Sequence, residues 1–386
     1  MSPLIVRMIS AILTLLMILS PAAPSNAQGS KEPIKIGLVA AISGPGGFIG
    51  DPFNKAAKLA IDRANRAGGI NGRKIELISY DTQGSPDQSL VFTKKLISDD
   101  KVSVILGPDF SSNVKAVLPT IDAAKVPLLY NTPVIDPAPH SYEFTPWPTE
   151  ETSYRVAFAA LKSMGVKKLA ALATTDVTGE SGMKWLKVLA PANGITLVGE
   201  EHFDPKDTDV TPQLTTLKGA GADAIFAIES GAVVAVVCKG YTQLGLKQPL
   251  VISTGAVSAT FPDLLKGITP DTLIFPTYKM LLVDSLPVSD PNRTPIREFA
   301  KLYLDSTGKQ ADFFAGAGWD LANIAIASIK RAGTDPTAIR DAIEQVKNYP
   351  GTISMMSFTP DNHRGAGPTA QIMGRFTDGK FIVFKR

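Results

Sequence analysis

The stretch IKIGLVAAISGPGGFIGDPFNKAAKLAIDRA, residues 34–64, decides the fold. Ile34 to Ala41 is an apolar run of strand length that ends in the glycine-rich loop Ser43–Gly50. After it, Phe53, Ala56, Ala57, Ala60, Ile61 and Ala64 recur at offsets of three and four, which puts them on one face of a helix. A doubly buried strand followed by an amphipathic helix is the repeating unit of a parallel sheet.

The unit repeats. Lys74–Tyr80 reads as strand and Pro86–Ser98 as helix. Val102–Leu106 is the next strand, a helix follows through Val114, Val117, Leu118 and Ile121, and Val126–Tyr130 is strand again. A proline-rich stretch, Pro133 to Pro148, then reads as a stiff, extended connection between domains. A second series follows it: helix Glu150–Met164, strand Lys168–Ala173, helix Ser181–Ala190, strand Ile195–Phe203, helix Val210–Gly219, strand Ala224–Ile228, helix Ala232–Leu244 and strand Leu250–Ile252. Strand Leu273–Phe275, three helices (Thr294–Ser306, Phe314–Ala332, Pro336–Val346) and a hairpin turning at Asp378-Gly379 complete the chain. The expectation is α/β, with two matched lobes.

At 386 residues, 44% hydrophobic and 19% charged, the chain has apolar material for two sizeable cores. Residues 1–27 read as a signal peptide: Arg7 precedes the apolar run Met8–Leu19, and Ser25-Asn26-Ala27 offers a cleavage site. That run is well short of the roughly 20 residues that span a bilayer, so export without lasting membrane insertion is expected. The formal charge of +3, one of it from Arg7, leaves no electrostatic footprint for nucleic acid. The single cysteine, Cys238, lies in an apolar helical run and reads as a buried, inert thiol. His140, His202 and His363 show no metal-ligand spacing, and Asp204, Asp207 and Asp209 lack the calcium-loop pattern, so neither metal nor cofactor is expected.

An open parallel sheet binds ligands beyond the carboxyl ends of its strands. Of the loops there, Gly107-Pro108-Asp109-Phe110-Ser111-Ser112 introduces a helix, where a hydroxyl and free first-turn amides suit a carboxylate. An ordinary serine N-cap accounts for the same residues. A dinucleotide fingerprint fails, because Gly44 and Gly46 require glycine where Ile49 stands. Ser112 and Lys115 fit an S-x-x-K motif, but Ser98/Lys101, Ser181/Lys184 and Ser306/Lys309 fit it equally, and its partner motifs are missing. The chain is not expected to be an enzyme.

The opening IKIGLVAAISGPGGFIGDP, the segment AIDRANRAGGINGRKIELISYDTQGSPDQS, the loop GPDFSSN and EEHFDPKDTDVTPQLTTLKGAGADAIF together resemble the leucine/isoleucine/valine-type periplasmic binding proteins of ABC importers. The resemblance implies a class I periplasmic-binding fold, with two Rossmann-like lobes joined by three crossover segments and closing on ligand like a hinge. Its crossings would lie near Trp147, at Pro276–Lys279 and at Pro350–Phe358, giving lobe 1 as 33–147 plus 277–350 and lobe 2 as 148–276 plus 351–386. It also implies a periplasmic monomer that delivers a small molecule to permease subunits; a sensor presenting its closed lobes to a membrane receptor is the second reading.

Carried over from the family, the carboxylate-holding positions fall on Ser111, beside Ser112, and on Thr132, Pro133 and Val134. The groups that surround an ammonium in amino-acid-binding members are changed here: the acidic position falls on Thr254, and tyrosine positions fall on Thr178, on Phe48 or Ile49, and on Ser230. Asp109 or Glu229 would have to restore the charge. Otherwise Phe48, Phe110, Val134 and Trp147 would form an apolar pocket for an aromatic or branched acid.

Overall fold

The computed structural model describes residues 32–257, 261–367 and 369–385; the expected signal peptide lies outside them. Strands β1 (Ile34–Ala40), β2 (Ile75–Asp81), β3 (Ile105–Leu106), β4 (Leu128–Leu129) and β5 (Glu143–Phe144) form a parallel sheet in the order β2-β1-β3-β4-β5. Strands β6 (Lys168–Thr174), β7 (Thr196–Phe203), β8 (Ala224–Ile228), β9 (Leu250–Ile252) and β10 (Leu273–Tyr278) build a second sheet. A small ladder, β11 (Tyr349–Pro350) with β12 (Met355–Met356), precedes the terminal hairpin β13 (Gln371–Thr377) and β14 (Lys380–Val383). That hairpin extends the second sheet to β14-β13-β10-β9-β8-β6-β7, antiparallel only at its β10-β13 and β13-β14 pairs.

The inner strands β1, β6, β8, β9 and β10 are buried on both faces, which is why they read as nearly unbroken apolar runs, whereas the edge strands β2 and β7 also carry exposed polar residues. Ile36, Leu38 and Ala40 of β1 face one core, shared with helices Gly47–Arg66 and Phe313–Ala332, while Val39 faces another with Val114, Val117 and Ile121. In the second sheet, Leu172 and Ala227 face one side and Ala171 and Phe226 the other. The positive φ of Asp378 (50°) and Gly379 (71°) makes the tight turn of the final hairpin.

The structure differs from the sequence reading in several places that bear on the site. Strands β3 and β4 pair over two residues each: Pro127 has no N–H to donate, and Gly107, at φ 84°, interrupts the extended backbone after Leu106 although its amide still donates to the Leu129 carbonyl. The proline-rich stretch carries an edge strand, Glu143–Phe144. Strand β10 runs through Pro276 to Tyr278; β9 pairs only with Leu273 and Ile274, so the proline removes no donor on that side. Finally, the segment after Pro350, expected to enter the second lobe at once, contributes Ile353, Met356 and Phe358 to the core on the first sheet. Buried Asp320 anchors it there by accepting from the Thr352 and Ile353 amides at 2.7 and 3.0 Å. Among the described residues, no helix is long and apolar enough to cross a membrane.

Candidate functional site

The first glycine-rich loop is held by two carboxylates. Asp81, at the end of β2, accepts from the Ser43 hydroxyl and from the Ile42, Ser43 and Gln83 amides. Its partial burial acts upward on the pKa, but these bonds outweigh it and hold the carboxyl below the ordinary range. Asp109 is buried beneath the same loop, where its Oδ2 accepts from the Ala41 amide at 3.0 Å and its Oδ1 has no partner. Burial pushes its pKa up to about 6. A Cβ at Gly50 would come within 2.6 Å of that carboxyl, and one at Gly46 within 2.7 Å of the Phe110 ring, so both bare backbones are needed for the loop to lie this close.

Beyond β3 and β4, Ser111 opens helix Ser111–Ala124, and its hydroxyl lies 3.1 Å from the Thr132 hydroxyl. This pair, Ser111 half-buried and Thr132 buried, joins the two loops that the resemblance marks for a carboxylate. Ser112 is exposed and donates to Asn113 Oδ1 at 3.2 Å, turned away from Thr132. Pro133 is half-buried, and Val134 stands 50% exposed. Phe48 is 58% exposed, with its ring edge-on to Phe314 at 6.3 Å; Ile49 beside it is half-buried. Trp147, expected to line a pocket, is only 2% exposed: its Nε1 donates to Asn131 at 2.8 Å, and its ring packs against Tyr278, Phe313 and Phe314. It belongs to an aromatic core cluster whose outer members are Phe314 and Phe48.

On the second sheet, Thr178 sits half-buried in the first turn of helix Val177–Ala192, and Ser230 is exposed just before the 3-10 turn Gly231–Val233. Glu229 is wholly buried, and neither carboxyl oxygen makes a hydrogen bond of normal geometry. Burial, only partly opposed by the Ser253 amide, lifts its pKa well above the carboxylate range. Thr254 donates to the Pro276 carbonyl at 3.0 Å and lies 3.2 Å from the Ser153 hydroxyl, which in turn donates to Gln371.

Sequence reading missed Ser153, Gln371, Tyr278, Phe314 and Arg364. Only Phe314 carried a signal, as one of two adjacent aromatics opening a helix. The others depend on pairings between segments more than a hundred residues apart. Two surface grooves, one along Lys187–Leu197 and one between Arg63, Trp319 and Tyr349, hold none of the residues singled out at the strand ends.

Comparison with known proteins is consistent across sequence and structure. The family model described as periplasmic binding protein matches residues 33–378. Leu/Ile/Val-binding protein homolog 3 of Brucella melitensis is 24% identical over 362 residues, covering 92% of this chain and 95% of that protein. An extracellular ligand-binding receptor from Rhodopseudomonas palustris HaA2 superposes with a TM-score of 0.80 at 24% identity, covering 92% of this chain and all of that one. The branched-chain amino acid transporter substrate binding protein LivJ of Streptococcus pneumoniae, solved with isoleucine, gives 0.73 at 21% identity over the same share of this chain. At these identities the structural likeness speaks for the fold.

Proposed function

Because the chain belongs to the periplasmic binding protein family, a family of ligand-binding proteins rather than enzymes, and has its type I α/β fold, we propose that it is the substrate-binding component of an ABC importer that captures a small hydrophobic carboxylate lacking an α-ammonium. The lobes are drawn around the two sheets, with crossings near Trp147, at Pro276–Lys279 and beyond Gly365. The last lies beyond Pro350–Phe358 because Ile353, Met356 and Phe358 pack with the first sheet.

One observation carries the ligand class. The head-group side offers the Ser111–Thr132 hydroxyl pair and a helix start, whereas both acids near the strand ends are withdrawn from an ammonium: Asp109 is buried beneath the first loop on the Ala41 amide, and Glu229 is wholly buried. Thr254, at the family's acidic position, is neutral and engaged with Pro276 and Ser153. An ammonium enclosed without a counter-charge costs several kcal/mol, against about 1.4 kcal/mol for each tenfold in affinity. Phe48, Phe314 and Val134 suit a branched or aromatic tail, and the permease reads the closed form that ligand favours.

A thermal-shift panel tests this. Benzoate-like and branched aliphatic acids are expected to stabilise the protein, by about 2.7 kcal/mol at 100 times the dissociation constant. Stabilisation by leucine, isoleucine or valine alone would overturn the ligand class.

A further inference from the structure

Residues 133–148 contain five prolines, which leave carbonyl oxygens to satisfy and few N–H groups with which to form a sheet. Four of those carbonyls converge on one side chain. Arg364, 7% exposed, donates from Nη1 to the Trp147 and Pro148 carbonyls at 2.9 and 2.8 Å, and from Nη2 to those of Pro133 and Ile135 at 3.2 and 2.9 Å. Nη2 also meets the Asp136 carboxylate at 2.6 Å, and that carboxylate is 81% exposed.

The main chain reinforces this junction. Arg364 forms a parallel bridge with Thr145; the Gly365 amide donates to the Thr145 carbonyl at 2.8 Å, and the Thr145 amide donates to His363 at 3.1 Å. Thr145 then donates its hydroxyl to the Thr132 carbonyl at 3.2 Å, and the Thr132 hydroxyl is the partner of Ser111. The head-group loop, the first crossing and the segment leading into the third therefore meet at one guanidinium.

We propose that Arg364 is a positioning residue for ligand capture: its fork fixes the loop 132–136 against the first and third crossings, so that the head-group hydroxyls keep their place while the lobes turn. The need for that place rests on the proposed function; the clamp does not. A lysine, with one compact ammonium, cannot span four carbonyls in two directions.

Amide hydrogen exchange on ligand-free wild type, Arg364→Gln, Arg364→Lys and Asp136→Asn tests the clamp. In Arg364→Gln, exchange in 131–136 and 145–149 should rise at least tenfold while β6 and β8 keep their wild-type protection. Arg364→Lys should restore part of that protection, and Asp136→Asn, which keeps the four carbonyl bonds, should change little. Exchange that stays at wild type, or rises evenly over the chain, overturns the proposal; should Arg364→Gln not fold, Arg364→Lys decides by the same criterion. Affinity for 4-methylpentanoate should fall at least tenfold in Arg364→Gln and recover partly in Arg364→Lys. A wild type that binds no 4-methylpentanoate would count against the ligand class, while the exchange pattern still decides the role of Arg364.

Discussion

Ser111 and Ser112 are adjacent and chemically identical, yet only the first has its hydroxyl against Thr132, while the second turns to Asn113. Ser111→Ala should therefore weaken an acid ligand by about 10- to 100-fold, the equivalent of about 1.5–3 kcal/mol for a hydrogen bond to a charged group. Ser112→Ala should leave affinity unchanged. Calorimetric titration of both variants checks this, and equal losses would place the head group elsewhere. Asp109 makes a separate prediction. Burial raises its folded pKa to about 6, above the unfolded value, so ionising it costs stability. The cost is absent below about pH 4, grows up to about pH 6 and is constant above. Asp109→Asn, which keeps an acceptor for the Ala41 amide, should gain at most about 2–3 kcal/mol at pH 8 and nothing near pH 3.5 in urea unfolding. A gain equal at both pH values would show that burial does not raise the pKa of this carboxyl. Sequence placed Asp109 and Glu229 in loops at strand ends, but burial depends on what covers a loop, and for these acids the cover comes from distant segments.

Helix Phe313–Ala332 crosses helix Gly47–Arg66 at Gly318, where a Cβ would approach the Phe53 carbonyl oxygen to 2.2 Å. Since that atom is backbone, Gly318→Ala must part the helices and should cost about 3 kcal/mol in urea unfolding. A change below about 0.5 kcal/mol would mean that the crossing is looser than described. The two helices were each legible from their periodicity, as were the inner strands β1, β6, β8, β9 and β10, because burial on two faces writes itself as an apolar run. Their contact was not legible, since a glycine in a helix says nothing about which carbonyl passes over it. Glu143–Phe144 was hidden for another reason: two paired residues among prolines have no period to detect. Ile353, Met356 and Phe358 read as apolar in any lobe, and their side shows only in the structure, where Asp320 accepts from Thr352 and Ile353 and Asn292 donates to Gly351.

For the molecule as a whole, the proposed ligand class follows from two sheets whose carboxyl-end loops carry unequal chemistry: hydroxyls and a helix start on one, neutral groups and a buried glutamate on the other. Thr254→Glu would install a charge beside Ser153 and Pro276, and should weaken an acid ligand at least tenfold while leaving leucine unaffected or better bound. Tighter binding of the acid in that variant would reverse the assignment of the head-group side. The most direct measurement compares two ligands of one skeleton, 4-methylpentanoate and leucine, by calorimetric titration of the wild-type protein, since they differ only in the ammonium. The acid should bind at least tenfold more tightly; leucine binding the tighter of the two would contradict the account.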